Sequence, residues 1–185
     1  MRERKKKMRA PRKVFLVICE GETEREYVEG LKRFYRLPIT IKTKVSGNNI
    51  NPRLIRQYLQ ELGLSKDDGY AVFYIYDADV ECIVQKLEAM DGTIILTNPC
   101  FELWYLLHVK THNRSLSSDG IVKTLVSCHP VWKSYIKGGL NNEQMKFLIE
   151  NQEDACNRAK TLTPGQNPSS NMYEFIASLE NEKKG

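Results

Sequence analysis

The stretch "VFLVICEGETEREYVEGL", residues 14–31, decides the architecture of what surrounds it. Its first five residues are apolar and partly β-branched, the pattern of a strand covered on both faces. From Tyr27 the apolar positions take helical spacing, with Tyr27, Val28, Leu31, Phe34 and Tyr35 on one stripe. Thr23 and Glu26 have the spacing of a capping box, which predicts a helix opening at about Glu24. Between strand and helix stand Glu20, Glu22 and Glu24, three carboxylates within five residues. They repel one another unless something positive lies between them. On the residues alone, the segment is either a solvated acidic loop or half of a metal site.

Reading outward, the same alternation of periods continues. Pro38 ends the helix, and "ITIKTKV" (39–45) alternates as a second strand before the polar loop "SGNN". Asn51 and Pro52 give a cap and a first-turn proline, the stripe Leu54, Ile55, Tyr58, Leu59 and Leu62 predicts a helix, and Gly63 closes it. "YAVFYIY" (70–76) is a third strand, a helix follows over about 80–90, and "TIILT" (93–97) is a fourth strand. This series predicts a mainly parallel sheet with helices on both faces. After it come the apolar "PCFELWYLLHV" and helical stretches near 119–127, 142–160 and 171–182, with no strand beyond residue 97. The expected fold is therefore α/β, with a helical C-terminal part packed on a sheet.

Composition narrows the class. The chain of 185 residues, 41% hydrophobic and 28% charged, has the make-up of one globular domain. No apolar stretch approaches the roughly 20 residues of a membrane-spanning helix. "VFLVI" is too short for the core of a secretion signal, and the five cysteines are scattered without a CxxC pair. The expectation is a cytoplasmic protein with reduced thiols. The net charge of +5 is unevenly spread: residues 1–13 carry +7 and the remainder −2. Residues 1–13 are expected to form a disordered basic arm, in which Arg4, Lys5, Lys6, Lys7, Arg9, Arg12 and Lys13 are candidates for nucleic-acid phosphate contacts. A merely solubilising end fits the same composition.

In open parallel sheets, functional groups gather at the carboxyl ends of the strands. Glu20, with Glu24 close behind, sits at one such end, and Asp77 and Asp79 of "YIYDAD" at another. In extended backbone Asp77 and Asp79 point the same way. If these strands are neighbours, the carboxylates converge, and hard oxygen ligands suit Mg²⁺ or Mn²⁺. Asn98 and Pro99 read as cap and first residue of the next helix. Glu102 and His108 are polar anomalies on that apolar helix, six residues apart and on different faces. Each is either a supporting site group or a satisfied core residue. His112 and His129 lack ligand-spaced partners, and Lys133, Lys137 and Lys146 are either nucleic-acid contacts or, as isolated lysines usually are, solvated.

Two resemblances add to this. The strand followed by "EGETE", with a later strand ending in "DAD", resembles the Toprim domain of topoisomerases, primases and OLD-family nucleases. Residue by residue, the Toprim glutamate matches Glu20 and the DxD pair matches Asp77 and Asp79. The glycine often found soon after DxD is absent from "DADVECIV", and only 18 residues separate Val80 from Thr97 inclusive. More specifically, "VICEGETEREYVEGL", "FYIYDAD", "TNPCFELWYLLH" and "NPSSNMYEFIASLE" resemble, in order, the RloB-like family of bacterial phage-defence and abortive-infection loci. This implies one domain over 14–185, with a Toprim-like core (14–110) and a helical extension (111–185). It also implies Mg²⁺ or Mn²⁺ as cofactor, nucleic acid (DNA or RNA) as substrate, and an AAA- or ABC-type ATPase as partner. The expected function is a metal-dependent nuclease with Glu20, Asp77 and Asp79 as catalytic and metal-binding residues. Glu24, Asn98, Glu102 and His108 are its candidate supporting residues. The alternatives are a non-cutting regulatory or sensor subunit, and a nucleic-acid binder driven by the basic arm.

Overall fold

A computed structural model describes residues 13–65 and 69–184. Arg4, Lys5, Lys6, Lys7, Arg9 and Arg12 of the basic arm lie outside the described residues, so the expectation for the arm rests on sequence. Lys13 is described; it pairs with Glu182, and its ammonium lies 5.4 Å from the Phe15 ring centroid.

The first strand, β1 (Val14–Cys19), leads into α1 (Glu22–Tyr35), then β2 (Thr40–Val45), α2 (Pro52–Glu61), β3 (Tyr70–Asp77), α3 (Glu81–Glu88) and β4 (Thr93–Asn98). Helices α4 (Glu102–Val109), α5 (Ser118–Cys128), α6 (Asn142–Glu150) and α7 (Gln152–Lys160) follow, then β5 (Ser169–Ser170) and α8 (Met172–Lys184). The sheet order is β2-β1-β3-β4-β5, parallel throughout except for β5. The chain thus has the expected α/β fold: a mostly parallel sheet flanked by helices, with a helical C-terminal part.

Side chains alternate across β1 because successive residues of a strand face opposite ways. Leu16 and Ile18 join Val72, Tyr74, Ile55 and Ile83 beneath α2 and α3. Phe15 and Val17 face the other way, into a larger cluster that runs through Tyr27, Trp104, Leu125 and Phe175. That second cluster unites the sheet with the C-terminal helices. Its centre is α4, whose residues Glu102 to His108 are all buried. Among the described residues, no helix is long and apolar enough to cross a membrane.

Several local expectations hold for the stated reasons. Asn51 caps α2 by accepting the Leu54 N–H at 3.0 Å, and Gly63 follows that helix at a left-handed φ of 65°. Others need correction. Helix α1 opens at Glu22, with Gly21 as its cap residue and the Gly21 N–H bonded to Glu24 rather than a box built on Thr23 and Glu26. The Thr23 hydroxyl is engaged elsewhere, accepting the Gly138 N–H. Phe34 lies outside the buried stripe, at 56% exposure.

Asn98 is not a helix cap. It ends β4 and pairs with Ser169, the Asn98–Pro99 peptide is cis, and α4 begins three residues after Pro99 with Phe101 as its cap residue. A strand does exist beyond residue 97, since Thr97 and Asn98 pair antiparallel with Ser170 and Ser169. Two residues are too few for a periodic signal, and the pairing is held by long-range bonds such as Asn171 Oδ1 to Leu96 N–H at 2.7 Å. The stretch 142–160 is two helices, because Asn151 turns the chain between α6 and α7.

Candidate functional site

The sheet order places a crevice where chemistry is expected. From β1 the chain moves outward to β2, then returns past β1 to β3 on its other side. Such reversals leave an opening beyond the carboxyl ends of the two central strands. Glu20 follows β1 directly and Asp77 ends β3, and these strands are hydrogen-bonded neighbours. The Asp77 N–H donates to Glu20 Oε2 at 2.9 Å, and the Glu20 N–H donates to Ile75 O at 3.0 Å. The convergence of the two acidic strand ends is thus real.

A cleft of about 280 Å³ opens here, lined by Glu20, Glu22, Glu24, Asp77, Lys137 and Gly138 among others. The Gly21 N–H donates to Glu24 Oε2 at 2.8 Å, which turns that carboxylate toward the helix opening. Glu102 comes from the N-terminal end of α4, fully buried, and its Oε1 accepts the Tyr135 hydroxyl at 2.9 Å. Glu22, by contrast, is exposed and pairs with Arg25. Asp79 is exposed beyond the end of β3, because the chain bends at Ala78 and the extended register ends at Asp77. Asp77 and Asp79 therefore do not share one strand face, although the Asp79 charge still acts on Glu20.

The crowding expected from sequence is visible in the proton affinities. Burial, then the charges of Glu24, Glu20 and Glu102, raises the Asp77 carboxyl to about 9. Burial raises Glu24 to about 7, against its bond from the Gly21 N–H. Burial also raises Glu20, opposed by the Asp77 N–H and reinforced by Asp79. At neutral pH the metal-free cleft therefore holds protons as well as negative charge. Two of its oxygens, Asp77 Oδ1 and Glu102 Oε2, are buried with no hydrogen-bond partner among the described residues.

The positive group is Lys137, which the sequence offers only as one of three isolated lysines, with nothing to join it to the acids. Lys137 Nζ lies 3.9 Å from Glu102 Oε2. Burial works against this ammonium, but the facing charges of Glu102, Asp77 and Glu24 outweigh it and raise its pKa. A turn carries Lys137 to this position: Ile136 bridges Gly139, and the Gly138 N–H reaches Thr23 Oγ1 at 3.1 Å across 115 residues of chain. "KGG" reads as a turn, but nothing local says what the turn rests on. The loop after β2 also reaches the site, since the Gly47 N–H donates to the main-chain oxygen of Glu20 at 3.0 Å.

The remaining candidates lie elsewhere. His108 is in the aromatic core, its Nδ1 bonded to Trp104 O at 2.8 Å and its ring against Trp104 and Tyr27. Burial lowers it to about 3, so it is neutral. Asn98 lies at the same sheet edge as Asp77, one residue past its register partner Thr97, but its side-chain amide donates to Gly165 O at 3.3 Å, in the turn before β5. His112 lines a separate polar pocket with Lys110 and Arg114.

The donor set of the cleft is chemically that of a hard divalent ion: carboxylates, with two buried oxygens left unpaired. Among the described residues, however, no three His, Cys, Asp or Glu side chains are grouped as ligands of one ion. Glu20 and Glu24 each have an oxygen turned to a backbone N–H, and the Asp79 side chain stands out in solvent.

No curated protein and no solved structure matches this chain. The family described as "RloB-like protein" matches residues 15–179, and so spans β1 and most of α8. By that match, the chain belongs to the RloB-like protein family.

Proposed function

We propose that this chain is a Mg²⁺- or Mn²⁺-dependent nuclease of the Toprim type, acting on DNA or RNA phosphodiesters in bacterial phage defence. The observation that carries this reading is Asp77: its Oδ1 is buried and unpaired, and its carboxyl is forced up to about 9, directly beside Glu20 at a topological switch point. A carboxyl in that state would be satisfied by exchanging its proton, released to water, for a cation on the oxygen. Glu20 and Asp77 would hold the ion, with Glu102 as a further oxygen donor, and Asp79 would join them by turning its exposed side chain back over the cleft. When bound, such an ion neutralises phosphate oxygens and lowers the pKa of water.

The chain's own residues do the rest. Glu24, raised to about 7, takes up or releases a proton near neutral pH. The Asp77 N–H fixes the Glu20 carboxylate, so that it needs little reorganisation on binding. Lys137, at the mouth, offers a cation to an incoming phosphate. An AAA- or ABC-type ATPase is the proposed partner, and the basic residues before Val14 are proposed to add sequence-independent affinity for nucleic acid.

The test is cleavage of tRNA, plasmid and single-stranded DNA by the purified chain, with Mg²⁺, with Mn²⁺ and with EDTA. The expected result is metal-dependent cleavage that Glu20→Gln lowers at least about 100-fold. Absence of cleavage on every substrate, with the ATPase also present, would rule the nuclease out. A second reading, a non-cutting regulatory or sensor subunit, is favoured by one observation: the cleft carboxylates are already engaged by backbone N–H groups, Tyr135 and Lys137. Metal or nucleotide binding without cleavage would support it.

A further inference from the structure

The acidic cleft carries a cation of its own. Lys137 stands on the turn between Ile136 and Gly139, closed by the Gly139 N–H to Ile136 O at 3.1 Å. Two contacts seat this turn against the cleft: the Gly138 N–H to Thr23 Oγ1, and the neighbouring Tyr135 hydroxyl to Glu102 Oε1. Gly138 has a left-handed φ of 84°, a backbone conformation that disfavours any side chain at 138. The turn that carries Lys137 is therefore held against the cleft.

Its fit there is incomplete. At 3.9 Å from Glu102 Oε2 it forms an ion pair but not a hydrogen bond. Glu102 is fully buried, and that same oxygen has no hydrogen-bond partner among the described residues. Asp77 Oδ1, on the facing strand end, is in the same condition. The ammonium compensates these oxygens by charge at a distance, where a small divalent ion would coordinate them. Both cations cannot sit there, because their mutual repulsion at a few ångströms is several times that of two unit charges in solvent. The Lys137 side chain, 63% exposed, has an open path outward.

We propose that Lys137 is the resident counter-ion of the cleft, and that the Lys137 ammonium and a divalent cation exclude each other from it. Entry of the metal drives Lys137 into solvent at the mouth of the cleft, and departure of the metal brings it back. Lys137 thereby sets a threshold of metal concentration and prevents the empty cleft from standing as uncompensated negative charge. This rests on the divalent-cation reading above and adds its regulation.

The test uses Mn²⁺ as the probe. Titration calorimetry on the full chain is expected to show Lys137→Gln binding Mn²⁺ about tenfold more tightly, and Lys137→Arg within about threefold of the unaltered chain. Equal or weaker binding by Lys137→Gln overturns the exclusion while leaving the metal reading standing. Absence of Mn²⁺ binding in both chains overturns the two together. A second measurement needs no variant. Acetylation of Lys137, followed by peptide mass spectrometry with exposed Lys133 as reference, is expected to quicken at least about threefold on saturation with Mn²⁺. An unchanged or slower rate overturns the proposal.

Discussion

Glu102 and His108 occupy the two ends of α4, equally buried at 0% and 1% exposure, yet they have opposite electrostatic lives. Glu102 lies behind a cleft, with its Oε2 3.9 Å from the ammonium of Lys137, and that cleft is lined by Lys137 and other carboxylates and open to solvent. His108 is closed in by Trp104 and Tyr27, and the nearest charge acting on it is the cation Arg158, which only disfavours its protonation. Burial alone is therefore no guide to function on this helix. What separates the two ends is whether the buried group shares its space with other charges that a ligand can neutralise. At the Glu102 end they accumulate, and at the His108 end they are excluded.

The largest way to break this contrast is to remove the wall between the ends. Trp104 is fully buried and packs edge-on against both Tyr27 and His108. Trp104→Ala is expected to destabilise the chain by about 3–5 kcal/mol in denaturant titration, through lost transfer energy and a cavity.

The next two substitutions give pH slopes of opposite sign. His108 has its folded-state pKa lowered to about 3, so between that value and about 6.5 the unfolded chain binds more protons. Its contribution is present above pH 6.5 and lost as pH falls, by about 3 kcal/mol at pH 4. His108→Phe is expected to flatten this acid limb. Asp77 runs the other way: with a folded-state value of about 9 against 3.8, the native chain binds more protons across that window. Metal-free stability therefore falls as pH rises through it. Asp77→Asn is expected to raise stability at pH 8 by about 2–4 kcal/mol and to remove that slope, while impairing the site. Parallel slopes for the two variants would contradict the division of α4 into two environments.

The smallest effect belongs to a carboxylate adjacent in sequence but outside the buried cluster. Glu22→Gln removes an exposed charge paired, among the described residues, with Arg25, and should change stability by less than about 0.5 kcal/mol and leave the proposed cleavage unaffected. A large loss of activity would move Glu22 from the rim into the site.

How far each residue could be read in advance follows from the range of the interaction that places it. Strands β1 and β3 are legible because a strand covered on both faces needs a continuous apolar run, and Glu20 and Asp77 are legible because each sits at the end of such a run. The position of Asp79 is not legible, because periodicity assumes that extended backbone continues, and here it bends immediately after Asp77. The role of Asn98 is not legible either, because cap propensity is local, whereas its actual partner, Ser169, lies far along the chain. Glu24, by its position in the first helical turn, reads from sequence only as a candidate supporting residue. It does bond the Gly21 N–H there, but burial in the shared cleft also brings its proton affinity to about neutral.

Period, composition and ordered local motifs suffice for the layered α/β plan, the two acidic strand ends and the family to which the chain belongs. Tertiary structure alone decided which carboxylates share space. It brought Glu102 in from a buried helix, left Asp79 outside, sealed His108 among aromatics and set Lys137 opposite the acids. The physical reason is that electrostatic energy depends on distance and burial. Thr23 and Gly138, 115 positions apart in the chain, touch only after folding.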